Sequence, residues 1–80
     1  MWHEDKNRLQ RTFKFIDFAQ AFAFMTEVAF AAEKQNHHPN WSNVWNIVEI
    51  QLATHEAGNV VTDKDHKLAA AIDDIYRKYT

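Results

Sequence analysis

The chain is poor in the residues that staple or interrupt small folds, since its 80 residues include no cysteine, one glycine and one proline. Without cysteine there is no disulfide framework and no thiol nucleophile, which favours a cytoplasmic location. One glycine is too few for a Gly-rich loop that holds phosphate groups. The longest nearly uncharged run, residues 18–32, contains Gln20, Thr26 and Glu27. It is too short and too polar to span a bilayer, so we expect no membrane contact and no signal peptide.

An excess of positive charge is missing as well. The net charge is −2 with neutral histidines, so no basic surface is expected to bind nucleic acid. Hydrophobic residues make up 46% of the chain and aromatic residues 14%, a composition typical of a globular domain. Residues 1–80 are predicted to form a single domain, near the lower size limit for an independent core. A core of this size often depends on a partner, and we expect a homodimer or homotetramer.

The first fifteen residues have the pattern of a β-hairpin. From Leu9 to Phe15 every second residue belongs to one side: Leu9, Arg11, Phe13 and Phe15. This period of two is typical of a strand with one buried face. Lys6-Asn7 is a suitable turn before it, so residues 2–15 are predicted to form a hairpin.

A helix is predicted from about residue 17 to about residue 36. Asp17 and Gln20 have the spacing of a capping box, and no glycine or proline follows before Pro39. Phe24 and Phe30 fall outside the main apolar stripe, so we expect them to add exposed apolar surface that favours self-association. The stripe predicted to face the core recurs at helical spacing: Phe18, Phe22, Met25, Ala29 and Ala32, widened by Ala21 and Val28.

The second half of the chain repeats the pattern of the first. Trp2-x4-Asn7 matches Trp41-x4-Asn46, and the alternation that follows each of them also matches. We therefore predict two ββα half-repeats, about 2–36 and 41–79. Together they form an α+β two-layer sandwich, ββαββα, with a four-stranded antiparallel sheet and both helices on one face. The second helix is predicted to begin near residues 62–65 and to present Leu68, Ile72, Ile75 and Tyr79.

Imidazoles and carboxylates are concentrated around the link between the two halves. A hairpin turn at residues 45–46 places residues 36–38 opposite residues 53–55 in antiparallel register. Glu33 and His37 are four residues apart and share a face if the last helical turn continues that far. Three histidines are thus predicted to meet at the open end of one hairpin. The candidate site residues are Glu33, His37, His38, Pro39, His55 and Asp65.

Each of these residues also has a purely structural explanation. His37 and His38 could be cations favoured at a helix C-terminus, and Pro39 could simply end the helix. Asp65 could complete a capping box at the start of the second helix, and His55 could be a polar residue at a strand end. The convergence of three histidines and two carboxylates in one register favours a functional site over these separate explanations.

Two chemistries fit three imidazoles. Neutral histidine is a common metal ligand, and Glu33, His37 and His55 would be the ligands of a metal-dependent hydrolase. The adjacent pair of His37 and His38 suits ligation badly, because neighbouring side chains of an extended backbone point to opposite faces. Imidazole titrates near ~6.5 and can both donate and accept a proton at neutral pH. A metal-free proton-transfer lyase or isomerase is therefore the better fit.

The spacing of these residues forms a specific motif. It reads Glu-x3-His-His-Pro, an aromatic residue, a histidine and an aspartate, carried here by Glu33, His37, His38, Pro39, Trp45, His55 and Asp65. This motif resembles that of the pterin-4a-carbinolamine dehydratase family, and the resemblance covers nearly all 80 residues. The ββαββα order is the fold of that family, which usually carries a further N-terminal helix. Trp45 stands where tyrosine is commoner, and Gly58-Asn59 stands where a glycine pair is usual.

The resemblance implies a lyase without metal or cofactor. Members of the family that the chain resembles dehydrate 4a-hydroxytetrahydropterin to quinonoid dihydropterin, which recycles the tetrahydrobiopterin cofactor of aromatic amino acid hydroxylases. It implies His37 and His55 as the acid–base pair, with His38 orienting the pterin. Glu33 and Asp65 would hold the histidines. The segments that bind the pterin would include His37, His38, Pro39, Thr54, His55, Glu56 and Ala57.

The resemblance also implies an alternative function. In animals, members of this family resemble a dimerisation cofactor of a homeodomain transcription factor, which makes a coactivator-type binding module the second hypothesis. Binding alone would not require the full histidine set, so the sequence favours the enzyme.

Overall fold

The computed structural model describes residues 1–80 as one sheet with two helices. The strands are β1 (His3–Asp5), β2 (Arg8–Lys14), β3 (Asn40–Val44) and β4 (Ile47–Leu52). The helices are α1 (Phe18–Gln35) and α2 (Asp63–Tyr76), and short 3₁₀ turns span His55–Ala57 and Arg77–Tyr79. The strands lie in the order β1-β2-β4-β3, and every neighbouring pair is antiparallel. The predicted α+β architecture and the element order ββαββα are confirmed. Neither helix is long and apolar enough to cross a membrane.

Both helices pack on the same face of the sheet. Alternate residues of the two central strands meet the helices in one hydrophobic core of 13 buried side chains. The other face of the sheet carries mainly polar side chains, such as Gln10, Lys14, Glu49 and Gln51, and we call it the open face. The strand residues of the core are Leu9, Phe13, Val48, Ile50 and Leu52.

Both hairpins turn where the sequence predicts, and their turn chemistry differs. Lys6 and Asn7 both have positive φ, 51° and 65°, as a type I′ turn requires. In the second hairpin the positive φ of 50° belongs to Trp45 and not to Asn46, although asparagine adopts positive φ more readily than other non-glycine residues. Asn46 is buried instead and donates its side-chain amide to the Phe15 carbonyl over 2.9 Å. The polar side chain thus anchors the turn to the strand end beside it.

The buried face of α1 differs from the predicted stripe. Ala21, Phe24, Val28 and Ala32 are buried, whereas Phe18 and Phe22 are 47% and 56% exposed. Both sets recur at helical spacing, so periodicity alone cannot choose between them. Phe24 is selected because its ring packs against Phe13 and Phe15, with ring centroids 5.0 and 4.9 Å away. Phe18, Phe22 and Phe30 form what we call the exposed apolar face of α1.

The second helix packs as the sequence predicts at its centre. Leu68 and Ile72 are fully buried, together with most of Ala69. Ile75 is half-buried, and Tyr79 lies beyond the α-helix in the final 3₁₀ turn. The start of α2 lies at the same end of the sheet as the end of α1, because Asp65 contacts His37 there. This end of the sheet carries the candidate site.

Candidate active site

The end of α1 determines where the two adjacent histidines point. Asn36 adopts a left-handed conformation, with φ 51° and ψ 43°, and ends the helix after Gln35. The His37 N–H donates to the Ala32 carbonyl over 3.1 Å, which closes the cap. The last helical turn therefore does not reach His37, so the condition under which Glu33 and His37 would share a face is not met. Because the chain reverses direction at Asn36, Glu33 contacts His38, and His37 contacts Asp65.

His37 is buried and bound to Asp65. Its Nε2 lies 2.5 Å from Asp65 Oδ1, and the two side chains are 9% and 0% exposed. The other carboxylate oxygen of Asp65 accepts hydrogen bonds from the Thr54 hydroxyl at 2.8 Å and the Thr62 N–H at 2.9 Å. Thr62 and Asp65 also form the capping box of α2. Asp65 therefore caps α2 and binds the His37 imidazole with the same carboxylate. The capping box predicted as its structural explanation is present, and so is the contact with a candidate site histidine.

His38 pairs with the other carboxylate. Its Nε2 lies 2.9 Å from Glu33 Oε1, and both side chains are largely exposed, at 59% and 79%. His37 and His38 thus have opposite environments, as expected from neighbouring residues on non-helical backbone. One imidazole is held inside the protein by a buried acid. The other lies at the surface, where it can contact a bound molecule.

His55 enters the site from the far side of the hairpin, at the start of the 3₁₀ turn after β4. Its Nδ1 lies 3.2 Å from the side-chain oxygen of Asn59. Gly58 and Asn59 both have positive φ, 92° and 60°, which asparagine tolerates better than most residues. Asn59 was not predicted as a site residue, although its place in the usual glycine pair was the available signal. Here it both completes the turn and contacts a histidine.

The three histidines line one small cleft. Its volume is about 210 Å³, and its lining residues are Asn36, His37, His38, His55 and Glu56. The predicted convergence of residues 36–38 with 53–55 is thus seen in the structure. A neighbouring cleft of about 390 Å³ lies on the other side of the 3₁₀ turn and shares Glu56 with it. Thr54 and Ala57 line this second cleft, beside Thr62, Asp63 and Lys64.

Glu56 places a negative charge beside the histidines. The pKa of Glu56 is lowered by a hydrogen bond from its own backbone N–H, and then by the charge of Lys64. The charges of His55 and His37 lower it further. The carboxylate therefore stays ionised at neutral pH and places a negative charge at the edge of the histidine cleft.

Four residues of the motif do not line the cleft, and two of these, Glu33 and Asp65, contact its histidines instead. Trp45 is 63% exposed at the tip of the β3–β4 hairpin, at the opposite end from the histidines. Pro39 is half-buried between the histidine pair and β3, outside the cleft lining. The potential metal donors are also divided, because Glu33 contacts His38 and Asp65 contacts His37. No group of three or more His, Cys, Asp or Glu side chains is arranged to hold a metal ion.

Comparisons with known proteins agree on one family. The sequence profile of the pterin 4 alpha carbinolamine dehydratase family matches residues 1–75. A protein of Prochlorococcus marinus (strain MIT 9515), named as a candidate pterin-4-alpha-carbinolamine dehydratase, is 48% identical over 77 residues. That match covers 96% of this chain and 79% of the relative.

Two solved structures share the fold. The crystal structure of a transcriptional coactivator/pterin dehydratase from Brucella melitensis has a TM-score of 0.88 and 43% identity, over 92% of this chain and 80% of that one. A pterin dehydratase-like protein, described as a RuBisCO assembly factor in the alpha-carboxysome, has a TM-score of 0.75 and 25% identity. That match covers 94% of this chain and 86% of the other. The chain belongs to the pterin 4 alpha carbinolamine dehydratase family.

Proposed function

We propose that this protein dehydrates a 4a-hydroxytetrahydropterin to the quinonoid dihydropterin by histidine acid–base catalysis without a metal, in the recycling of tetrahydrobiopterin. The observation that carries the proposal is the buried His37–Asp65 pair, because its imidazole lines a cleft that His38 and His55 also line. A buried carboxylate that orients an imidazole is a recurrent device of proton-transfer sites. Membership of the family supplies the substrate class.

The reaction needs two proton transfers and one bond cleavage. The bond between C4a and its hydroxyl oxygen breaks, and that oxygen takes a proton and leaves as water. A ring nitrogen loses its proton, and the electron pair of that N–H bond forms the new double bond to C4a. An imidazolium supplies the first proton and a neutral imidazole accepts the second, so one pair of histidines in opposite protonation states completes the reaction.

The hydrogen bonds of His37 and His55 leave one ring nitrogen of each free. In His37, Nε2 is bound to Asp65, so Nδ1 remains to exchange a proton with the substrate. In His55, Nδ1 contacts Asn59, so Nε2 remains. We assign these two residues as the acid–base pair. Asp65 positions His37 by binding Nε2, which turns Nδ1 towards the substrate.

His38 is assigned to hold the pterin ring. It is exposed at the mouth of the cleft and is oriented by Glu33, which makes Glu33 a positioning residue. The segments on either side of the cleft complete the proposed pterin site. They are Pro39 after the histidine pair, and Thr54, Glu56 and Ala57 around the 3₁₀ turn.

A second candidate function is a binding module that acts through another protein. One observation favours it: Phe18, Phe22 and Phe30 are 47%, 56% and 74% exposed on one helix. The Brucella melitensis structure also carries the name of a coactivator beside that of a dehydratase. We propose that this apolar face of α1 mediates self-association, into a dimer or tetramer, which is compatible with either function.

The test is a dehydration assay with synthetic 4a-hydroxytetrahydropterin, followed against the spontaneous reaction. The purified protein should accelerate the loss of the carbinolamine, and a His37→Ala/His55→Ala variant with an unchanged circular dichroism spectrum should not. A wild-type protein no faster than buffer would contradict the enzymatic function and leave the binding module.

A further inference from the structure

A third cleft, lined mainly by polar side chains, lies beside the histidine cleft and shares His38 with it. Its volume is about 360 Å³, larger than the histidine cleft, and it has a single apolar lining residue, Ala53. It lies at the end of the open face of the sheet, opposite the helices. Its polar lining residues are Lys6, Arg8, His38, Asn40, Gln51 and Asn59.

The strand register explains why these residues come together. Leu9 pairs with Leu52, and Asn40 pairs with Gln51. Continuing both ladders towards the histidines places Arg8, Ala53 and His38 in one row across three strands. Strands are ~4.7–4.9 Å apart, so the Cα atoms of Arg8 and His38 are about 9–10 Å apart. A molecule held by His38 therefore needs only a short side chain to reach the cations at the far wall.

The cleft is lined by two cationic side chains that form no ion pair. Lys6 and Arg8 line it, and no carboxylate does. The carboxylates nearest by topology are Asp5, which faces Arg8 across the β1–β2 ladder, and Glu33, which binds His38. Neither cation takes part in any of the ion pairs of the molecule. The Arg8 guanidinium donates to the Gln51 side-chain oxygen, which orients it along the cleft wall.

We propose that this cleft binds an anionic side chain of the pterin substrate, a phosphate or a carboxylate, while the histidine cleft holds the ring. The inference rests on the proposed function for the identity of the ring. A pterin carries its substituent on the reduced ring, next to the reacting centre, so a ring gripped by His38 extends its substituent along this face. Arginine and lysine at the far wall match a phosphate or carboxylate, and the amides of Asn40, Gln51 and Asn59 can donate to the same oxygens.

The experiment measures binding of stable aromatic pterins by isothermal titration calorimetry. The probes are 6-hydroxymethylpterin, its monophosphate ester, and 6-carboxypterin as the carboxylate-bearing probe with a short substituent. The wild-type protein should bind the monophosphate, the carboxypterin or both roughly five- to tenfold more tightly than the neutral pterin, as two exposed charge contacts allow. The more tightly bound of the two identifies the preferred anion. Arg8→Gln and Lys6→Gln should each reduce this preference.

Lys14→Gln is the matched control, because it removes one positive charge from the same strand and the same face as Arg8 but lies outside the cleft. It should retain the preference. Equal affinities for neutral and anionic probes, or a preference that both cleft variants retain, would overturn the inference. If Lys14→Gln lost the preference to the same extent, the preference would come from the net charge of the protein. That result would also overturn the proposal that the cleft binds the anion.

Turnover of 4a-hydroxytetrahydropterin, measured in parallel, separates the two proposals. Turnover without any preference for an anionic side chain overturns only the proposal that the cleft binds that side chain. A side-chain preference without turnover overturns the dehydratase and supports the cleft as an anion site. Absence of both binding and turnover overturns the two together.

Discussion

Replacing Asp65 by asparagine separates its two roles in one substitution. The amide keeps the shape of the side chain and one acceptor oxygen, but it replaces the other oxygen with a donor. If the amide oxygen stays on Thr62 and Thr54, the helix cap survives, and the amide nitrogen then faces His37 Nε2. His37 Nε2 must then accept a hydrogen bond from the amide, so the proton of a neutral His37 moves to Nδ1. Nδ1 is the atom that we assign to proton exchange with the substrate.

The expected stability cost follows from the lost contact. A hydrogen bond to a charged group contributes about 1.5–3 kcal/mol, and this one is fully buried on the Asp65 side. The cap, which contributes roughly 0.5–2 kcal/mol, is retained. In a domain of this size 1 kcal/mol shifts the melting temperature by about 4–8 °C. Asp65→Asn should therefore melt about 6–24 °C earlier, and the variant should still be folded at room temperature.

The expected effect on activity is larger. General acid–base groups contribute ~10²–10⁴-fold in rate, and a histidine held in the wrong tautomer forfeits most of that. We expect kcat of Asp65→Asn to fall by about 10²-fold or more, measured with 4a-hydroxytetrahydropterin well below the melting temperature. Asp17→Asn, the same substitution at the N-cap of α1 and far from the histidines, is the control and should retain wild-type kcat. An Asp65→Asn variant that melts earlier but turns over normally would refute the catalytic reasoning and leave only the cap.

The other predictions concern the histidines, metal independence, assembly and alkaline stability. His37→Ala and His55→Ala should each lower kcat by ~10²–10⁴-fold, with the double variant little worse than the poorer single one, whereas His38→Ala should mainly raise KM. Equal small effects at all three positions would mean that this cleft is not the catalytic centre. Chelators should leave kcat unchanged; complete loss that zinc restores would contradict a metal-free reaction. Sedimentation should show a dimer or larger assembly through the exposed apolar face of α1, and a monomer at high micromolar concentration would contradict this. The hydrogen bond to Glu27 raises the pKa of Tyr79 to about 12. Because the unfolded tyrosine ionises first, the melting temperature should fall as pH rises from about 10 towards 12, and Tyr79→Phe should remove that fall.

The sheet was predictable because its signals are local. The alternation in β2 and β4 has a period of two, and each hairpin closes over a two-residue turn, so the register follows by counting. In the second hairpin Asn43 pairs with Val48. Counting on from that pair places residue 37 beside Thr54, where the buried carboxylate joins them. The convergence of the histidines therefore required no long-range information beyond the turn.

The orientation of α1 was not predictable in the same way. The helix is apolar around most of its circumference, so two different stripes satisfy the 3.6-residue period. The choice depends on Phe24 fitting between two phenylalanines of β2 and its continuation, which is a tertiary contact. The partner of Glu33 was missed for a comparable reason. Asn36 adopts a left-handed conformation and ends the helix before His37. Glu33 therefore contacts His38 instead of His37.

The position of the site follows from how the two halves are joined. The end of α1 leads into β3 through residues 36–39, and the end of β4 leads into α2 through residues 53–62. Both connections lie at one end of the sheet, and each carries part of the histidine set. The other end has the tight hairpin at residues 45–46 and the short connection from β2 to α1, residues 15–17, which carries no histidine. The core needs neither connection to be rich in histidine, since its 13 residues come from the strands and helices. A buried aspartate that binds both connections is therefore best explained by the chemistry that they bring together, with the helix cap as its structural support.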